Sequence, residues 1–320
     1  MRFSVALCTY NGAAYIQEQL NSILRQTVPV SEIIICDDNS RDGTAEIAER
    51  ILGNAGISYQ ILINDPPLGV AENFLKAMKH TTGDYVFTCD QDDIWHENKV
   101  EIFRDAVQQS RKALYFSDGV LVDGDAKPLG STLWEAYGVN SELTAGKPIM
   151  HILIRHPVVT GAAMVVSRQL IDQISYVPRG YLHDEWFAMA AAVQDSIMPV
   201  LQTTFDYRQH GTNVVGAKRL SLAERTQKWL SKIGKMREFR LERLKKITAV
   251  LKLAEHTPYE AHVREAVSFW EAMTELSEFG LFKGSLRIFE MYTAGKYRRF
   301  YTGFRGAVRD MLSCVIKESK

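Results

Sequence analysis

Several features that would place a protein at once are missing from this 320-residue sequence. No apolar run approaches the roughly eighteen residues a membrane-spanning helix needs. The 4 cysteines, Cys8, Cys36, Cys89 and Cys314, form neither a CxxC pair nor a zinc spacing. A disulfide scaffold and a zinc module are therefore excluded. The first three cysteines close apolar runs, where a thiol is usually a small buried hydrophobe, and they fit a reducing, cytoplasmic setting. Glycine-rich phosphate loops of the dinucleotide and P-loop types are absent too. A bound diphosphate would then need another counter-charge. The chain enters a strand-like run by Phe3, with no basic-then-apolar segment ahead of it, so no signal sequence is read there.

What is present is ordinary for a globular protein: 46% hydrophobic residues, 24% charged, and no net charge. The length supports one large domain, or one domain with an extension. The zero charge conceals an imbalance. Residues 1–214 hold 26 acidic and 16 basic side chains, and residues 215–320 hold 12 and 22. A basic rear part suits an anionic partner.

Apolar runs at 3–8, 32–36, 58–63 and 85–89 alternate with helical periodicities starting near Ala13, Thr44 and Gly69. At about 25–30 residues per strand–helix unit, this predicts an α/β domain on a mostly parallel, doubly wound sheet. Ligands in such sheets collect beyond the C-terminal strand ends. Three of those ends are polar: Thr9 with Asn11, Asp37 with Asp38, and Asp90 with Asp92. The last lies in Asp90-Gln91-Asp92-Asp93, where carboxylates this close repel unless a positive charge sits among them. Hard oxygen ligands suit Mg²⁺ or Mn²⁺, completed by substrate phosphates. The alternative is an Asp-rich turn of helix caps; Asp93 is expected to cap the next helix.

Four segments carry a family resemblance: Cys8-Thr9-Tyr10-Asn11-Gly12, the run Asp37 to Thr44, Leu68 to Phe74, and Asp90 to Trp95. In order and spacing they resemble family 2 glycosyltransferases with the Rossmann-like GT-A fold, most of all the rhamnosyltransferase-type branch. The resemblance implies that Thr9, Asn11, Asp38 and Asp90 line the nucleotide pocket. It makes Asp90 and Asp92 the DxD pair on the metal, Asp92 foremost. Glu72 stands where many relatives carry Arg, which removes a basic contact from that turn.

Further along, Gly161 interrupts an apolar run, 158–166, expected to form a strand; family likeness puts it at the floor of the sugar pocket, and a plain bulge is the alternative. His183-Asp184-Glu185 opens a helix. Acids there are favoured by the helix dipole, but transfer to an alcohol also needs a base. The resemblance places the inverting family's base at Asp184. Glu185 would point about 100° away on a helix, and His183 would serve as an acceptor contact or a structural group. In Tyr207-Arg208-Gln209-His210-Gly211, Arg208 would meet a phosphate and His210 the metal or the leaving diphosphate.

The expected organisation is a catalytic domain over 1–216 and a basic amphipathic helical region over 217–320. Residues 218–252 hold 12 basic and 3 acidic side chains among many apolar ones, and residues 283–309 hold 7 and 1 with several aromatics. Two readings stay open for this rear part. One is an anionic membrane surface at the inner face of the cytoplasmic membrane; the other is helices packed on the catalytic domain or in a homodimer. Nucleic acid is not expected, since no known module is present and the front would repel phosphate chains. The implied activity is inverting, metal-dependent sugar transfer. The donor would be a nucleoside-diphosphate sugar, dTDP-rhamnose or a UDP-hexose, and the acceptor a glycan or lipid-linked hydroxyl. The alternatives are a non-catalytic nucleotide-sugar-binding protein and a sugar nucleotidyltransferase. The latter needs a basic loop that Thr9–Gly12 lacks.

Overall fold

The computed structural model describes residues 1–209, 235–276 and 278–315. The chain divides into two compact units. One comprises Met1–Lys147, Val158–Ala192 and Ser196–Ala217; the other comprises Pro148–Pro157, Val193–Asp195 and Lys218–Lys320.

The first unit begins with four strands and three helices in alternation: β1 (Phe3–Thr9), α1 (Ile16–Leu24), β2 (Glu32–Asp37), α2 (Thr44–Leu52), β3 (Ser58–Ile63), α3 (Val70–His80) and β4 (Tyr85–Cys89). Every residue of β1 and β2 is buried, as a parallel sheet covered on both faces requires. The helices supply that cover through Ile16, Leu20 and Ile23 of α1 and Phe74, Leu75 and Met78 of α3. The order β3-β2-β1-β4 is parallel throughout, and β1 has β2 on one side and β4 on the other. A switch point therefore lies between β1 and β4, where crossovers diverge and leave a crevice. Register brings the polar ends to one level, with Thr9 opposite Asp37 and Leu7 opposite Cys89.

Beyond β4 the sheet changes direction. Next come β5 (Ile94–Trp95), α4 (Lys99–Ser110), β6 (Leu114–Val122), β7 (Pro128–Thr132), and the short helices α5 (Leu133–Tyr137) and α6 (Asn140–Thr144). In the second unit, α7 is Ile149–Leu153. The first unit then resumes with a 3-10 turn at Gly161–Ala163, β8 (Met164–Ser167), α8 (Arg168–Gln173), α9 (His183–Ala192) and β9 (Ile197–Arg208). Strand β8 runs antiparallel between β4 and β6, and β9 is parallel to β6. The sheet is thus mixed, with its parallel part confined mainly to the first four strands. The single strand expected over 158–166 is corrected here: only Met164–Ser167 is strand. The carbonyls of Gly161 and Ala162 accept from the side chains of Thr88 and Lys99 and join no neighbouring strand.

The second unit is helical: α7, α10 (Met236–Ala254), α11 (Glu260–Glu275), α12 (Leu281–Thr293), α13 (Lys296–Phe300) and α14 (Phe304–Val315). Its core holds Ile247, Val250, Val263, Phe269, Trp270, Met273, Tyr297 and Phe300. Of the amphipathic stretch expected over 218–252, residues up to 234 lie outside those described. The remainder, α10, turns Met236, Ile247, Val250 and Ala254 into that core. Helix α10 is therefore a packing helix, because its apolar side already has a protein partner. Among the described residues, no helix is long and apolar enough to cross a membrane.

Candidate active site

Two loops form one wall of the crevice. Asp37 accepts from the Ser40 amide and hydroxyl and from Thr9 Oγ1, at 2.6–2.7 Å. Asp38 Oδ1 accepts from the Leu68 amide at 2.7 Å and from Asn64 Nδ2 at 3.0 Å, and Oδ2 accepts from the Gly69 amide at 2.9 Å. Thr9 and Asp38 are buried, and these bonds use them to hold the two loops together. Asn11 is exposed with φ 48°, and its Oδ1 receives the Arg41 amide at 2.9 Å. The Asp37 to Thr44 segment is thereby pinned to the β1 turn.

The Asp90–Asp93 loop is tied to that turn by a residue passed over in sequence. Gln91 accepts from the Tyr10 amide at 2.8 Å and donates to the Tyr10 carbonyl at 3.0 Å. A Cβ at residue 12 would fall 2.1 Å from Gln91 Oε1, which accounts for Gly12. Asp93 is corrected from a helix cap: Asn98 precedes α4. Asp93 is buried instead, with Oδ1 accepting the Arg208 amide at 3.1 Å and Oδ2 without a partner among the described residues. Arg208 is buried, and its guanidinium donates to the Asp92 and Gly124 carbonyls at 2.8 and 2.6 Å and to Glu18 at 2.5 Å. Those bonds make it a brace for the Asp92 backbone.

Across the crevice, Asp184 lies in the first turn of α9. Its Oδ2 accepts from the Gly161 amide at 2.9 Å and its Oδ1 from its neighbour Glu185's amide at 2.7 Å. Glu185 itself accepts from the Leu182 amide at 3.2 Å, in the manner of a helix cap. Buried His183 stacks on Phe74 with ring centroids 3.7 Å apart, and neither ring nitrogen has a partner among the described residues. Burial lowers its pKa to about 3, so the ring is neutral. A Cβ on Gly161 would sit 2.8 Å from His183 Nε2. The His183 imidazole thus leaves no room for a side chain at this position.

Electrostatics draw these groups together. Asp90 is raised to about 8 by burial and then by Asp92 and Asp184, while Lys99 acts in the opposite sense. Asp184 is raised to about 7, chiefly by burial, against the lowering effect of the two amides. Burial and the charges of Asp92 and Asp90 push Asp93 well up. Lys99, absent from the sequence reading, is wholly buried and brought down to about 8 by desolvation. Its ammonium donates to the Ala162 carbonyl at 2.8 Å and lies 4.3 and 4.6 Å from the ring centroids of Trp95 and Phe205. A Lys four residues after Trp95 was its only sequence trace.

Among the described residues, no three His, Cys, Asp or Glu side chains form a ready metal cage. His210 lies outside the described residues. Asp90 and Asp92 nevertheless fit a divalent cation: like charges at a half-buried strand end favour one, and a substrate diphosphate completes such sites. The structure thus brings Asp90, Asp92 and Asp184 into one electrostatic neighbourhood and assigns visible scaffold bonds to Thr9, Asp38 and Arg208.

Comparison with known proteins follows the same lines. The family model described as Glycosyl transferase family 2 matches residues 4–174. The dTDP-rhamnosyl transferase RfbG of Shigella flexneri is 29% identical over 253 residues, covering 71% of this chain and 81% of that protein. The putative teichuronic acid biosynthesis glycosyltransferase TuaG of Bacillus subtilis (strain 168) is 34% identical over 129 residues, 39% of this chain and 50% of its own length. Among solved structures, S. aureus TarS 1-349 in complex with UDP-GlcNAc aligns with a TM-score of 0.62 over 99% of this chain and 90% of that one, at 16% identity. The mannosyltransferase PcManGT from Pyrobaculum calidifontis, in complex with GDP-Man and Mn2+, aligns at 0.54 over 99% and 86%, at 14% identity. At such identities the structural likeness speaks for the fold, which is GT-A.

Proposed function

The chain belongs to glycosyl transferase family 2, and from that premise we propose that it moves a sugar from a nucleoside-diphosphate donor to an acceptor hydroxyl with inversion, in the assembly of a cell-surface polysaccharide. The observation that carries this reading is Asp184: a carboxylate held by two amides, raised to about 7, and close enough to Asp90 to raise it in turn. A base poised near the working pH removes a proton most effectively. The acceptor O–H gives its proton to Asp184, its oxygen bonds to the anomeric carbon, and the carbon–oxygen bond to the diphosphate breaks with its electron pair on the leaving group. Attack comes from the face opposite the diphosphate, which inverts the centre. Asp92 and Asp90 would hold Mg²⁺ or Mn²⁺, which when bound neutralises the diphosphate. The walls built by Asp37, Asp38 and Asn11 enclose the nucleoside.

RfbG, named a dTDP-rhamnosyl transferase, favours dTDP-rhamnose as donor; TarS, solved with UDP-GlcNAc, keeps a UDP-hexose as the second choice. The acceptor is a glycan or lipid-linked hydroxyl. Thermal stabilisation by UDP, dTDP and GDP, each with Mn²⁺, identifies the base, and turnover of matching donors follows. Asp184→Asn turning over at the wild-type rate would remove the base from this reading.

An anionic membrane surface on the cytoplasmic side is supported by a specific feature of the second unit. Helix α12 buries Gly284, Ile288 and Met291 and exposes Phe282, Leu286 and Phe289. At 100° per residue these three form one stripe opposite the buried one. Phe282 is 84% exposed, and Tyr292 meets Phe304 of α14 with ring centroids 6.1 Å apart, which extends the apolar area. Residues 283–309 hold 7 basic side chains and 1 acidic. Two copies meeting here would oppose like charges, whereas an anionic bilayer attracts them. The full-length protein should pellet with vesicles of 30% phosphatidylglycerol (an amount on the order that lowers surface potential measurably), and Phe282→Glu with Phe289→Glu should abolish this at unchanged Tm. Pelleting unaffected by the pair rules this face out; a large Tm loss would show that the chain itself covers it.

A further inference from the structure

Two fully buried side chains converge on the short turn that faces the base. We propose that Lys99 and Thr88 are positioning residues that lock the Gly161–Ala163 turn and through it aim the carboxylate of Asp184; the inference rests on Asp184 being the base. The turn is only three residues long, too short to hold its shape by its own ladder. Within it the Ala163 amide donates to the Thr160 carbonyl at 2.8 Å. The rest of its backbone is gripped from outside. The Gly161 carbonyl accepts from the Thr88 hydroxyl, the Ala162 carbonyl accepts from the Lys99 ammonium at 2.8 Å, and the Gly161 amide donates to Asp184 Oδ2 at 2.9 Å. Successive peptide groups are therefore fixed from one side by β4 and α4, and from the other by the base.

The Lys99 grip costs stability in a way a packing role does not explain. A buried ammonium loses its hydration and needs fixed partners. Methionine would fill the space between Trp95 and Phe205 without that loss. Lysine places a donor on the Ala162 carbonyl in an otherwise acidic surround. Thr88 adds a second link. It stands in β4, which ends at Cys89 and leads directly into Asp90. The strand that grips the turn under the base thus also delivers the carboxylate on the leaving-group side, an arrangement suited to holding the two groups in register.

The test is a kinetic comparison of Thr88→Val, Thr88→Ser, Lys99→Met and Lys99→Arg in the full-length protein, alone and on an Asp184→Asn background. Thr88→Val and Lys99→Met should lower kcat on the order of 10- to 100-fold, the scale expected of slight misplacement, with KM for the donor and stabilisation by nucleotide with Mn²⁺ unchanged. Thr88→Ser should restore turnover to within about twofold, because it keeps the donor. Loosening the Gly161 amide removes a bond that favours the ionised base, so the acid limb of kcat/KM should move to higher pH in Thr88→Val. On the Asp184→Asn background neither change should cost anything more. Wild-type kcat and an unmoved limb in folded Thr88→Val overturn the proposal, as does a full additional loss on that background. Should Lys99→Met fail to fold, the Thr88 pair decides. The Asp184→Asn variant by itself judges the base assignment, so the two failures are told apart.

Discussion

Both units bury charge, and they balance it differently. In the helical unit, Arg240 donates to Asp310 at 2.7 Å and to Ser313 at 2.6 Å, and Tyr297 donates to the other Asp310 oxygen at 3.0 Å. Arg240 and Asp310 are 2% and 0% exposed, and Arg309 lies close enough to act on Asp310 as well. In the α/β unit the single ammonium of Lys99 faces Asp90 and Asp93, with Asp92 and Asp184 beside them. The first arrangement pairs its two charges directly. The second sets the half-buried carboxylates Asp90, Asp92 and Asp184 beside the buried Lys99, Asp93 and Arg208 at a strand end, the kind of placement that marks a candidate site.

Substitutions sharpen the contrast. Asp184→Asn should give the largest effect, a fall in kcat on the order of 10³-fold, the range of a lost general base, with nucleotide and Mn²⁺ binding retained by calorimetry. Asp310→Ala should leave chemistry to one side and cost about 3–5 kcal/mol, because it strands a buried Arg240 charge; urea titration measures this. Asp90→Asn should act in the opposite direction and raise the Tm of the ligand-free protein by about 2–4 °C by relieving repulsion, while weakening nucleotide stabilisation with Mn²⁺. A destabilised Asp90→Asn protein would break the comparison. Gly161→Ala should cost about 1–3 kcal/mol, since its Cβ must displace His183 or the turn.

The pH dependence has a defined sign. Asp184 is raised to about 7 and Asp90 to about 8, above an unfolded value near 3.9. Such groups contribute stability fully below the unfolded value, and that contribution is lost as pH rises through their folded values. The Tm of the ligand-free protein should therefore fall between pH 5 and 8. Catalysis moves the other way: the base works ionised, so kcat/KM should climb about tenfold per pH unit below 7 and level off above it. A profile flat from pH 5 to 8 would count against Asp184.

Much of this was legible before any coordinates. Period and spacing gave β1 to β4 with their helices, because buried parallel strands and amphipathic covers write strong local patterns. The polar strand ends placed the crevice. Beyond β4 the reading weakened. The reversed strand β8 is only four residues long, and the turn before it is held by side chains some seventy residues earlier in sequence. Gln91, Thr88 and Lys99 were missed for the same reason: their partners Tyr10, Gly161 and Ala162 are remote, and no local spacing encodes such pairings. The bonds of Arg208 to Asp92, Gly124 and Glu18 likewise join remote segments and leave no local trace. Asp93 misled because a cap and a buried carboxylate look alike in sequence.

The central prediction is that Asp90 and Asp92 take up a divalent cation together with a nucleotide. Calorimetric titration of Mn²⁺ into the protein with and without the preferred nucleoside diphosphate tests it most directly, in wild type and in Asp92→Asn. Tighter Mn²⁺ binding in the presence of nucleotide, lost in Asp92→Asn, is the predicted result. Nucleotide binding that is unchanged by chelation, or equal Mn²⁺ binding in both proteins, would contradict it.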